Sequence, residues 1–127
     1  MSASIHNIVV DCRAPWQLAQ FWSDVLARPV DPENAPADDE VGIPLDASAG
    51  ELLFLAVPEP KTVKNRLHLC LQPDGPRDEE VERLLGIGAT LVDDQRRPDG
   101  TGWAVLADPE GNEFCILRSA AERAATS

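Results

Sequence analysis

The chain has 127 residues and a formal net charge of −11, and this acidity argues against nucleic-acid binding, which depends largely on Lys and Arg side chains that neutralise phosphates. Its apolar fraction of 43% is ordinary for a globular protein that forms its own core. No apolar run approaches the roughly 18 residues of a membrane-spanning helix, and the first residues do not resemble a signal peptide, so we expect a cytoplasmic protein with no membrane partner.

The first half of the sequence predicts a strand, a helix and then further strands. Pro15 suits the first turn of a helix, apolar residues follow at every third or fourth position, and Pro29 ends the pattern. Residues 31–40 are polar and rich in proline, which predicts a loop. The predicted strands are residues 5–11, residues 41–45 at a sheet edge because of Pro44, and residues 51–57.

The second half repeats this order of elements. A second amphipathic helix is predicted between Pro76 and Gly86, and the Asp-Gly pair at residues 99–100 predicts a hairpin turn. An offset of 62 residues pairs His6 with His68 and aligns the two halves without gaps, which indicates an internal repeat. The predicted strands of this half are residues 67–71, 89–93, 103–107 and 113–117.

Two histidines at strand starts and the segment DPEGNEFCIL near the end of the chain resemble the vicinal oxygen chelate superfamily, in its glyoxalase-like branch. Segments similar to DCRAPWQLAQFW, VPEPKTVKNRLHL and RRPDGTGWAVLADPEGNEFC recur together in that branch, and the resemblance covers residues 5–118. It implies an α+β fold in which two βαβββ modules form an open, cup-shaped mixed sheet with helices outside. The implied boundaries, within one structural domain, are residues 1–57 for the first module, 58–65 for a linker, 66–119 for the second module and 120–127 for a C-terminal tail.

The resemblance also implies where a metal ion would bind. Family ligands lie on the first strand of each module, where they are usually His, and on the fourth strand, where they are usually Glu. His6 and His68 match the first-strand positions, but Leu53 and Cys115 occupy the fourth-strand positions. Two alternatives stay open: a site of His6, His68 and Cys115 that favours zinc over manganese, iron or nickel, or no metal at all.

Strand alternation predicts which side chains face the cup. Arg66, His68 and Cys70 share one strand face and leucines occupy the other, so we expect the leucines to pack on a helix and His68 to face the cup. Arg66 and Glu113 are then predicted to pair in the empty protein, and an anionic ligand would take the place of Glu113. By the same alternation, all three cysteines are predicted to face the cup: Cys12, Cys70 and Cys115.

The sequence leaves three functions open. In the first, the protein is a lyase, isomerase or group-transfer enzyme that acts on a small oxygenated compound, with Glu113 as general base. In the second, it is a non-catalytic protein that sequesters a small molecule, as bleomycin-resistance proteins do. In the third, it is a structural dimer without a ligand. Family members commonly dimerise, so we expect a homodimer, and the expected ligand-binding residues are Arg66, His6, His68, Glu113 and, as either a pocket wall or a core residue, Trp103.

Overall fold

The computed structural model describes residues 2–46 and 50–126, and the chain divides into two compact units. The units are Met1–Lys61 and Thr62–Ser127, so the division falls inside the predicted linker. Each unit has its own mixed β-sheet with helix beside it, which confirms the α+β class. Within the described residues, no helix is long and apolar enough to cross a membrane.

The first unit forms a three-stranded sheet and one helix. Its elements are β1 (Asn7–Cys12), α1 (Pro15–Leu26), β2 (Glu40–Pro44) and β3 (Glu51–Ala56). The central strand β3 is parallel to β1 and antiparallel to β2, so β2 is an edge strand as Pro44 predicted. The helix begins at Pro15, and Ala27 closes its last turn with a left-handed backbone (φ 53°).

Alternate residues of β2 and β3 form the core of the first unit beneath α1. Leu52 and Phe54 are 2% and 0% exposed, and α1 contacts both strands with its apolar face. Each such burial stabilises the fold by about 1.5–3 kcal/mol relative to an exposed side chain. Cys12 pairs with Ala56 on this covered face and is 3% exposed, so the prediction that Cys12 faces a cup is wrong.

The first unit has three strands in its described residues, where the repeat predicts four. Residues 31–39, between α1 and β2, form the predicted loop, because its prolines have no N–H for a strand ladder. Instead, the amide of Asp31 donates to the carbonyl of Gly42 at 2.9 Å, and Asn34 Oδ1 accepts from the amide of Gly42 at 2.9 Å. The first module is therefore βαββ rather than βαβββ.

The second unit has the predicted βαβββ order and then a further helix. Its elements are β4 (Leu69–Leu71), α2 (Arg77–Gly86), β5 (Thr90–Asp94), β6 (Ala104–Ala107), β7 (Glu113–Ile116) and α3 (Ala120–Thr126). The strand order is β4-β7-β6-β5, with β4 parallel to β7 and the other pairs antiparallel. The segment predicted as a tail thus contains a helix, and Glu122 Oε1 joins it to α2 by accepting from the amide of Arg77 at 2.8 Å.

The core of the second unit lies on one face of its sheet. Phe114 and Ile116 of β7 are 0% exposed, as are Val81 and Leu84 of α2. The helix contacts β7, so these side chains pack together. The alternate side chains of β7 therefore face away from α2.

The pairing register differs by one residue between the two units. Ile8 lies opposite the core residue Leu52, and the 62-residue offset equates these two positions with Cys70 and Phe114. Cys70, however, lies opposite Cys115. Because a shift of one residue exchanges the two faces of a strand, Ile8 and Cys70 face opposite sides of their sheets although the repeat pairs them.

Candidate functional site

A cavity of about 290 Å³ lies on the face of the second unit's sheet that points away from α2. Residues from β4, β6 and β7 line it, together with residues that precede β4 and β6 and one that follows β7. One side of the cavity is apolar and the other carries charged or metal-binding groups. The lining residues are Lys64, His68, Cys70, Trp103, Val105, Glu113, Cys115 and Leu117.

Cys115 lies at the middle of the strands that form the cavity. Its partner on β4 is Cys70 and its partner on β6 is Val105. Glu113 and Leu117 stand two residues to either side of Cys115, on the same face of the chain. Cys115 is 6% exposed, so it forms the floor of the cavity rather than its rim.

The DPEGN turn before β7 positions the charged side of the cavity. Asp108 is 3% exposed, and its Oδ1 accepts from the amides of Glu110 and Asn112, both at 2.9 Å. The side chain of Asn112 donates to Asp108 Oδ2 at 2.9 Å and accepts from Asn65 Nδ2 at 2.9 Å. These bonds hold Asn65, and with it the neighbouring Lys64, against the start of β7.

Trp103 is positioned by the tight turn that precedes it. Gly102 has φ 91°, and a Cβ added there would lie 2.0 Å from the carbonyl oxygen of Gln95, so only glycine fits. The guanidinium of Arg77, which is 3% exposed, donates to the carbonyl oxygens of residues 100–102 at 2.9–3.3 Å. The turn thus fixes the backbone position of Trp103. Its side chain lines the cavity and is 38% exposed.

The cation that lines the cavity is Lys64 rather than Arg66. Lys64 Nζ forms an ion pair with Glu113 Oε1, and the two side chains are 67% and 20% exposed. Arg66 is exposed and stands outside the lining residues, so the predicted Arg66–Glu113 pair is wrong. Alternation holds only within a strand, and β4 begins at Leu69, too late to fix the direction of Arg66. The sequence places Lys64 in the predicted linker of residues 58–65, and that position gave no sign of the contact between Asn65 and the DPEGN turn.

Burial controls the chemistry of the Cys115 thiol. It raises the pKa of Cys115 to about 11, because the thiolate would lose its hydration, and the neighbouring Cys70 thiol adds to the rise. The Lys64 ammonium opposes this effect and the Glu113 carboxylate reinforces it. Cys115 is therefore a protonated thiol at neutral pH, which does not suit it for nucleophilic attack.

His68, Cys70 and Cys115 form a group that could hold a metal ion, because their ligand atoms all lie within 4.8 Å of one another. The metal site predicted from the sequence contains His6 where this group contains Cys70, although the alternation that selects His68 also selects Cys70. The group contains no carboxylate. Leu53, which the resemblance equates with the other fourth-strand ligand, lies on β3 of the first unit. These residues therefore do not fit the His and Glu ligand set implied by the family resemblance.

His6 belongs to the first unit, where it precedes β1 and is exposed. It lies one residue outside the strand, so the alternation of β1 does not extend to its side chain. The role of His6 as a ligand stays a prediction from the resemblance.

Comparisons with known proteins agree with this architecture. A family model described as "Glyoxalase-like domain" matches residues 7–117. Among solved structures, the chain is similar to a glyoxalase/bleomycin resistance protein/dioxygenase family enzyme from Burkholderia phytofirmans PsJN, with 21% identity, a TM-score of 0.68, and 90% of this chain and 97% of the other covered. No curated protein matches the chain.

Two further solved structures have the same fold at lower identity. A lactoylglutathione lyase from Agrobacterium tumefaciens is 16% identical with a TM-score of 0.61, over 91% of this chain and 93% of the other. A possible glyoxalase from Bacillus cereus is 12% identical with a TM-score of 0.65, over 91% and 99%. At these identities the likeness establishes the fold and leaves the chemistry to the residues of the site.

Proposed function

We propose, from the premise that the chain belongs to the glyoxalase-like domain family, that the cavity of its second unit binds a small oxygenated compound. The observation that carries this proposal is that the cavity lining has an apolar part and a charged part. Trp103, Val105 and Leu117 offer an apolar wall, while Lys64 and Glu113 offer charges to orient a ligand. A few convergent polar groups in an apolar hollow are typical of small-molecule sites.

The size and charge of the cavity narrow the class of ligand. A volume of about 290 Å³ stands at the small end of the usual range for ligand pockets, which favours a compact molecule. Lys64 is the cation of this lining and its side chain is 67% exposed, so a ligand can reach its ammonium group. We propose that a carboxylate or another anionic oxygen of the ligand displaces Glu113 from Lys64.

An enzymatic version of this proposal follows from the same displacement. When the ligand's anionic oxygen pairs with the Lys64 ammonium, the Glu113 carboxylate loses its ion-pair partner and lies next to the bound compound. It can then act as a general base. It would take a proton from a carbon beside a carbonyl, and the Lys64 ammonium would stabilise the negative charge that develops on oxygen. In a hydroxy-ketone, the proton would then return to the former carbonyl carbon while the hydroxyl proton moves to the former carbonyl oxygen, which completes an isomerisation.

Sequestration without catalysis is the second candidate. It is favoured by the absence of carboxylates at the two positions where the family resemblance expects them, which hold Leu53 and Cys115. The protonated state of the Cys115 thiol at neutral pH also favours a passive wall over a reactive group. In this version the Lys64–Glu113 pair selects the ligand and does no chemistry.

The binding test uses a panel of small carboxylic acids and hydroxy-ketones, read by thermal shift and by titration. We expect Lys64→Ala to weaken the binding of anions by up to about fivefold, the range of exposed ion pairs. Glu113→Gln should strengthen it, because it removes the competing carboxylate. Lys61→Ala, a change of an exposed lysine of the same segment, is the matched control. Anion binding that is equal in wild type, Lys64→Ala and Glu113→Gln would refute the proposed site.

Hydrogen exchange separates the enzyme from the sequestering protein. Ligands found in the panel are incubated with the protein in deuterated water, and their carbon-bound hydrogens are followed by NMR. Catalysed exchange that disappears in Glu113→Gln supports the enzyme. Tight binding with no catalysed exchange supports sequestration.

A further inference from the structure

We infer that His68, Cys70 and Cys115 form a binding site for one soft divalent metal ion, and that zinc is the ion the donors favour. The site lies wholly within the second unit and takes two of its three ligands from cysteine. It differs from the ligand set implied by the family resemblance, because it has no carboxylate and does not include His6. It does not rest on the proposed function, since it requires no organic ligand.

The positions of the donor atoms are close to those that a zinc ion needs. The imidazole nitrogen and the two sulfur atoms all lie within 4.8 Å of one another. With Zn–S distances of about 2.3 Å, the ligand atoms of a tetrahedral site stand about 3.5–3.8 Å apart. Side-chain adjustments of at most about 1 Å would therefore close the site, and two of the three residues are exposed and free to adjust.

The backbone holds the three donors in place. Cys70 and Cys115 are direct partners on the parallel strands β4 and β7, so their thiols lie side by side. His68 is two residues before Cys70 and lines the same cavity. Phe114 and Ile116, on the opposite face of β7, are fully buried and anchor the strand that carries Cys115. The ion would therefore bind to a framework fixed by core packing.

The charges of the site also suit a divalent ion. When the ion binds, the two thiols release their protons to water, so that two thiolates and one divalent cation sum to zero. The adjacent Lys64–Glu113 pair is neutral as well. No charge would then be left uncompensated above the buried thiol floor. Imidazole and thiolate are the donors that zinc and other soft ions prefer, whereas manganese and magnesium prefer oxygen.

Three protein ligands leave one position of a tetrahedral ion open. The cavity of about 290 Å³ lies directly over the group, so the fourth ligand would be a water molecule or an oxygen of a bound compound. This arrangement is typical of zinc sites that act on substrates, because sites with a purely structural role have four protein ligands.

The test is a zinc titration of the reduced full-length protein, with no organic ligand present, by competition with a chromophoric chelator. We expect one zinc per chain, and a loss of affinity of at least about 100-fold in Cys70→Ser and in His68→Gln, because even the loss of an outer partner of a metal ligand costs 10–100-fold. Cys12→Ser is the matched control and should bind zinc as wild type does, and His6→Gln is the variant that separates this site from one that includes His6.

Cobalt provides a second measurement, and its wild-type signal does not depend on variants folding correctly. The wild-type protein loaded with Co²⁺ should have a charge-transfer band of two thiolates, and Cys70→Ser should have about half of it. Zinc binding that is unchanged in Cys70→Ser, or no zinc bound at micromolar concentration, would overturn the inference. Binding lost in His6→Gln but kept in Cys70→Ser would overturn it in favour of a site with His6. Because zinc is titrated alone, none of these results bears on the small-molecule panel.

Discussion

Cys70 and Cys115 lie opposite each other on the parallel strands β4 and β7, and the Cys70 thiol adds to the rise in the pKa of the Cys115 thiol. Cys70 is exposed and Cys115 is 6% exposed, so one thiol meets the solvent and the other forms the cavity floor. The Lys64–Glu113 ion pair and the imidazole of His68 line the same cavity as this pair of thiols. This arrangement supports the small-molecule site and the metal site proposed above.

The three cysteines should react with alkylating agents at different rates. We expect iodoacetamide to modify Cys70 first at neutral pH, because Cys115 has its pKa raised to about 11 by burial and Cys12 is 3% exposed under α1. Peptide mass spectrometry over a time course measures the order. Modification of Cys115 as fast as Cys70 would contradict this arrangement of thiols. An excess of zinc should protect Cys70.

Gly102 should be intolerant of any side chain. Gly102→Ala places a Cβ 2.0 Å from the carbonyl oxygen of Gln95 and strains a backbone at φ 91°, so we expect a loss of about 1–3 kcal/mol in the free energy of unfolding and a displaced Trp103. Gly100→Ala is the control, because its φ is also positive at 90° but its Cβ would meet no atom within 4 Å. Urea unfolding measures both variants, and equal losses would contradict the predicted clash.

Arg96 should stabilise the protein near neutral pH and lose this effect in acid. Its hydrogen bonds lower the pKa of Asp94 from 3.8 to about 2, and bonds from Arg77 and Arg96 lower the pKa of Asp78. A lowered carboxyl pKa stabilises the fold above the ordinary pKa, and that contribution disappears as the pH falls towards the folded-state pKa. We therefore expect Arg96→Gln to destabilise the protein at about pH 6 and to have little further effect at about pH 2.

The control for this pH dependence is Arg97→Gln. It removes a neighbouring cation that is bound to neither Asp78 nor Asp94 in the described contacts. Urea unfolding across the acid range gives the free energy for each variant. A difference between wild type and Arg96→Gln that grows as the pH falls would have the wrong sign for this interpretation.

We expect the protein to be a homodimer that uses the edge strand β5. Leu91 and Val92 are 44% and 48% exposed on this strand, and an edge strand presents unpaired backbone groups to a partner. Static light scattering should give about twice the 13.8 kDa chain mass at micromolar concentration, and Leu91→Glu should reduce it. Val63→Glu, at a 75% exposed position outside the sheets, is the control. A wild-type mass near 13.8 kDa would disprove the dimer.

The sequence by itself determined the elements whose signals are local. Pro15 begins α1 and Pro29 follows its end, Pro76 precedes α2, and Pro44 marks an edge strand, because each proline acts through its own backbone geometry. The alternation of leucines with polar residues likewise predicted that His68 shares a face with Cys70. The segments that resemble the glyoxalase-like branch were sufficient to assign the family.

Only the tertiary structure decided which side chains meet. The sequence repeat equates Ile8 with Cys70, but a one-residue difference in strand register turns them to opposite faces, and no local pattern encodes that register. The contact between Asn65 and the DPEGN turn brings Lys64 to Glu113 across 49 positions of sequence and leaves Arg66 exposed. Such pairings depend on how distant segments pack, so the residues that share this cavity are a property of the folded chain.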